Sequence, residues 1–94
     1  MMTDEHRRGV LNYYRDYLLD LGYLPIKKAD GSCPAGKFDS SALSHMAWMC
    51  VEAVKFIDGG DSSKADRWLG HVQGVLWAFG IFTHEQEREH SRSP

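Results

Sequence analysis

The feature that most constrains this chain is Gly59-Gly60, a break set between two long runs of helix-period apolar residues. Before the break, Leu43, Met46, Ala47, Cys50, Val51, Val54 and Ile57 recur at spacings of three and four, one stripe of a helix. Asp39, Ser40 and Ser41 offer N-caps for that helix. After the break, Asp61, Ser62 and Ser63 start a third helix. Its apolar set is Ala65, Trp68, Leu69, Val72, Val75, Leu76 and Phe79, and Gly80 closes it. These two helices are the expected centre of the domain.

A helix precedes them. Thr3 is its N-cap, Asp4 and Glu5 suit the positive end of its dipole, and Val10, Tyr14, Tyr17, Leu18 and Leu21 mark one face. Gly22 stands where a left-handed C-cap belongs and Pro25 prevents continuation, so the helix runs from about Thr3 to Leu21. Tyr23 to Phe38 has no period and contains Pro25, Gly31, Pro34 and Gly36, which predicts a long loop. Thr83 and Gln86 match a capping box, opening a short charged helix through about His90. The expected fold is all-α, with 1–94 as a single helical domain, two long central helices and shorter flanking ones.

Composition excludes several function classes. Lys and Arg number 11 and Asp and Glu 13, so the net charge of −2 gives no field for non-specific DNA binding. Cys33 and Cys50 make neither a disulfide framework nor a Cys-x-x-Cys pair. The start, Met1 to Glu5, lacks a signal-peptide pattern. The longest stretch without Asp, Glu, Lys or Arg, Trp68 to His84, carries His71, Gln73 and Thr83, and a membrane span needs ~20 predominantly apolar residues. The chain therefore reads as cytoplasmic, with no membrane partner.

The third helix is apolar over well over half its circumference, and Gly70, Gly74 and Ala78 add a stripe of small residues. A helix of this kind in a short chain is expected to be buried on several sides, which predicts a homo-oligomer.

Metal and catalytic readings find little. His84 and His90 lie six apart, whereas a helical metal pair needs three or four, and His45 and Cys50 are badly spaced for one face. No Gly-x-Ser-x-Gly elbow, P-loop or paired carboxylate is present, and Asp and Glu are expected on surface faces. The expectation is a protein with no catalytic residues, no metal and no cofactor.

The N-terminal third is more informative. Tyr13, Tyr14, Tyr17 and Tyr23 lie close to Arg7, Arg8 and Arg15, with Lys27 and Lys28 following. Residues 1–37 hold six Lys and Arg against five Asp and Glu, so this part is at +1. Tyrosine rings can stack on bases and a lysine can meet a phosphate. Tyr14 and Tyr17 read equally as core residues with wet hydroxyls, whereas Tyr13 sits beside the apolar stripe. Arg67 and Thr83 form a second candidate site for an anion. They also read as a solvated or paired arginine and a simple N-cap.

The run Lys64-Ala65-Asp66-Arg67-Trp68-Leu69-Gly70-His71-Val72-Gln73-Gly74-Val75-Leu76-Trp77, with Thr83-His84-Glu85 and Arg88-Glu89-His90-Ser91-Arg92, resembles the phage anti-CBASS proteins. Those proteins are sponges for the cyclic oligonucleotide signals of bacterial immunity. The resemblance implies a helical homohexamer in the cytoplasm of an infected bacterium. It would hold cyclic dinucleotides such as cGAMP, and cyclic trinucleotides in separate pockets, without cleaving them. It implies Tyr13 as the base-stacking ring and Lys28 as the phosphate contact, with Tyr14 and Lys27 as the neighbouring register. Arg67 and Thr83 would serve the trinucleotide pockets. The rival reading is a helical protein–protein interaction module that binds no nucleotide, its anchors being the tyrosines and Trp77.

Overall fold

The structure, a computed structural model, describes residues 2–27 and 41–92. Among the described residues it contains no strand and four helices, α1 (Asp4–Asp20), α2 (Ser41–Asp58), α3 (Ser62–Ala78) and α4 (His84–Ser91). The all-α expectation holds, and the helix ends fall close to their sequence signals. The relative lengths need correction. At 17 residues α1 equals α3 and nearly matches the 18 of α2, so only α4, at 8, is short. Of the loop expected over Tyr23 to Phe38, residues 28–38, with Lys28, lie outside the described residues, as do the caps Asp39 and Ser40.

The middle layer is α2, packed against α1 on one side and α3 on the other. This explains a second departure from the one-stripe reading. Besides Leu43, Met46, Ala47, Cys50 and Ile57, α2 buries Ala42, Met49 and Ala53, whereas Val51 and Val54 stay half-buried. A helix covered on two flanks buries a wider arc, and its alanines let both neighbours approach. Leu11 and Leu18 from α1, and Val72 and Leu76 from α3, are fully enclosed. Each such side chain contributes about 1.5–3 kcal/mol relative to leaving it in water.

The break at 59–60 works by paired closure. Gly60 has φ 87°, a left-handed conformation that L side chains avoid. This lets the Gly60 N–H reach the Ile57 carbonyl at 3.0 Å and the Asp61 N–H reach the Phe56 carbonyl at 2.8 Å. The Asp61 carboxylate then accepts the Lys64 N–H at 3.1 Å and caps α3. One residue thus finishes α2 and begins α3. The same closure ends α3 at Gly80, after which Ile81 and Phe82 return inward and Thr83 starts α4.

Polar contacts tie α1 to the hairpin. Arg7 is buried, and its guanidinium forks onto both carboxylate oxygens of Asp66 and onto Asp4 at 2.8 Å. The hydrogen bond and charge of Asp66 hold Arg7 protonated above its ordinary range. Arg8 reaches Asp58 at the end of α2, 2.6 Å away.

Candidate functional site

On the short helix α4, Glu87, His90 and Ser91 fall at i, i+3 and i+4 and so share one face. That face lies against α1 and α3 through a connected set of hydrogen bonds. Gln73, on α3, donates through Nε2 to the Tyr14 hydroxyl at 3.1 Å and to Ser91 Oγ at 2.9 Å. The same Tyr14 hydroxyl is hydrogen-bonded to His90 Nδ1, 2.8 Å away. His6 Nε2 donates to the His90 carbonyl at 2.8 Å, and His6 Nδ1 is buried with no hydrogen-bond partner among the described residues.

Burial sets the protonation of this face. Desolvation pushes the Tyr14 hydroxyl far above its usual range and lowers the pKa of His90. It raises Glu87 to about 7, and Glu87 Oε2 is buried with no hydrogen-bond partner among the described residues. This corrects the expectation that every carboxylate is on a surface face. It also corrects the picture of Tyr14 as a core ring with a wet hydroxyl, because that hydroxyl is inside a network.

Beside the network lies the Tyr13 ring, 46% exposed. Its centroid is 5.9 Å from Tyr14, 6.2 Å from Tyr17, 6.1 Å from Phe82 and 5.2 Å from His90. The ring is therefore buttressed by four others and still open to solvent on part of its surface. With His6, Gly9, Val10 and His90 it lines a shallow, mostly apolar cleft of about 360 Å³. A second cleft of about 310 Å³, lined by Gln73, His84, Glu87, Arg88 and Ser91, lies on the α3 side of α4.

The other candidate residues are placed as follows. Tyr14 is fully buried and offers no ring face, so Tyr13 is the accessible member of that pair. Lys27 is exposed, with its ammonium 5.3 Å from the Trp48 ring on α2; no ring contact or hydrogen bond links it to Tyr13. Lys28 lies outside the described residues. Arg67 is exposed on the first turns of α3, and no ion pair joins it to a described residue. Thr83 caps α4, its hydroxyl oxygen accepting the Gln86 N–H at 3.1 Å while the Gln86 side chain accepts the Thr83 N–H at 2.8 Å. Arg67 and Thr83 are separated by most of α3, about 16 Å from Arg67 to the helix end at 1.5 Å per residue. Within one protomer they do not form one site.

Sequence reasoning missed Phe82, Gln73 and His90 as partners of the tyrosines, and Glu87 as a buried carboxylate. The same-face spacing of Glu87, His90 and Ser91 was a usable signal for the last two. Among the described residues, no three His, Cys, Asp or Glu side chains converge as a metal site would require, and no helix is long and apolar enough to cross a membrane. No protein-family model, curated protein or solved structure matches this chain.

Proposed function

We propose that this protein captures cyclic oligonucleotide second messengers without cleaving them. The ligands are cyclic dinucleotides such as cGAMP and cyclic trinucleotides, and their removal blocks CBASS immunity in an infected bacterium. The observation that carries the reading is the Tyr13 ring, half-exposed over an apolar cleft and backed by Tyr14, Tyr17 and Phe82. A ring fixed from behind and open in front can stack on a base, which is worth ~1–3 kcal/mol per base.

The remaining chemistry is compatible with capture. Lys27 and Lys28 follow α1 and supply compact charges for phosphates. Arg67 is unpaired among the described residues and so can meet an anion. Thr83 uses a lone pair for its cap, which leaves its O–H proton available to a phosphate oxygen. A cyclic dinucleotide with like halves has approximate two-fold symmetry and a cyclic triadenylate three-fold. Identical chains meeting on the matching axis bring two copies of Tyr13, or three of Arg67, to one ligand. A homohexamer with dihedral symmetry has axes of both kinds. Sequestration works by mass action and asks for no general base.

The test is capture and release. The protein is mixed with cyclic di- and trinucleotides, free ligand is filtered away, the protein is digested, and the released material is identified by chromatography. Ligand depleted and recovered intact supports a sponge. Ligand recovered broken makes the protein an enzyme, and no depletion overturns the reading.

A second reading is favoured by the exposed apolar side chains Leu21, Leu24, Ile26 and Trp77, which are 51%, 60%, 59% and 49% exposed. Such anchors suit a protein-interaction module. Purified protein with no excess absorbance near 260 nm, together with no capture, would favour it.

A further inference from the structure

Tyr13 is preceded one helical turn earlier by a glycine, in the interior of α1. Glycine is the poorest helix former after proline, so an interior glycine needs a reason. Backbone geometry does not supply one, because Gly9 is not among the glycines with positive φ. Among the described residues, packing within the protomer does not supply one either: beyond its chain neighbours and its own helix backbone, a Cβ at Gly9 would meet nothing within 4 Å.

What the missing side chain leaves is space in the cleft. Helical side chains tilt toward the N-terminus, so Tyr13 projects over the turn that contains Gly9. His6 and Val10 flank this position, and His90 forms the facing wall. We infer that Gly9 is the clearance position of the cleft: its bare backbone lets a flat heteroaromatic ring, a nucleobase, lie along α1 against the face of Tyr13. The inference rests on the reading of Tyr13 as a base-stacking ring. It assigns to Gly9 the room for that ring, which a larger side chain at that position would fill.

The experiment measures cGAMP binding by calorimetry for wild type, Gly9→Ala, Gly9→Leu and Tyr13→Ala, with Tm and assembly mass recorded for each. Gly9→Ala is expected to raise Tm by about 4 °C through helix propensity. Gly9→Leu is expected to keep the fold and the assembly mass while weakening cGAMP about tenfold or more, the effect of losing one stacked base. Wild-type-like affinity in Gly9→Leu would overturn the inference while leaving Tyr13 in place. So would a changed assembly mass in either Gly9 variant, since the glycine would then serve packing between chains. If Tyr13→Ala binds like wild type, or wild type does not bind cGAMP, the reading of Tyr13 fails first and the assignment of Gly9 falls with it.

Discussion

The Tyr14 hydroxyl and His90 Nδ1, 76 residues apart in sequence, are joined by a 2.8 Å hydrogen bond in the part-buried seam between α1 and α4. Phe82 anchors the start of α4, the His90 ring packs against those of Tyr13, Tyr14 and Phe82, and Glu87 is the only buried residue of this helix. Tyr14→Phe removes the hydroxyl that is bonded to His90 and that accepts from Gln73. The expected loss is about 1–3 kcal/mol, the penalty for stranding buried polar groups. Urea unfolding gives the total, and hydrogen exchange should show the loss of protection concentrated in α4. Uniform loss across all four helices would show that the bond does not hold α4 in particular.

Two groups on α4 oppose burial in opposite senses. His90 is lowered from 6.5 by desolvation, so detached α4 takes up its proton more readily than docked α4. Its contribution is full above 6.5 and is lost as pH falls below that value. Glu87 is raised from 4.5 to about 7, so docked α4 holds that proton more tightly. Its contribution is full below 4.5 and is lost as pH rises from 4.5 to about 7. Glu87→Gln removes the second effect. The variant should gain roughly 1–3 kcal/mol over wild type at pH 8 and little at pH 4, read from urea midpoints. A difference that stays constant across pH would contradict this assignment.

Cys50 is fully enclosed and burial pushes its thiol up to about 12, so little thiolate is present at neutral pH. In a Cys33→Ser background, a thiol reagent should modify Cys50 only as fast as the protein unfolds, and at once in urea. Rapid labelling of the native protein would mean that the α1–α2–α3 core opens without global unfolding.

Thr83→Ala should cost about 1 kcal/mol by removing the N-cap, and Thr83→Ser should restore most of it. Thermal or urea unfolding gives both values. If cyclic trinucleotide capture follows the cap, it will be lost in the alanine variant and recovered in the serine variant.

Tyr13→Ala should weaken cyclic dinucleotide capture while leaving the trinucleotide bound, and Arg67→Ala should do the reverse. The structure gives these residues separate surroundings, Tyr13 against α4 and Arg67 exposed on the first turns of α3. Loss of both ligands from one substitution, with assembly mass unchanged, would contradict two separate pockets.

Much of the fold was legible because its signals are local. Thr3, Asp61, Thr83 and the glycines act on neighbours a few residues away, so their spacing alone set the helix ends within about two residues. The arc of α2 was less legible, because this helix packs against both α1 and α3, an arrangement no short window reports, and Met49 and Ala53 are buried as well. At the candidate site, Tyr13 was correctly separated from the apolar stripe, and its exposure follows from that offset. The partners of Tyr14 were not legible. Gln73 and His90 are ordinary polar residues in sequence and acquire their roles only when α4 folds back across α1.

The sharing of Asp61 between two helix ends bears on how this chain can change length. Its N–H closes α2 and its carboxylate opens α3, so an extra residue between them would undo both functions in one step. Insertions and deletions are therefore expected to be rejected at this corner, and α2 and α3 to form and melt as a single cooperative unit.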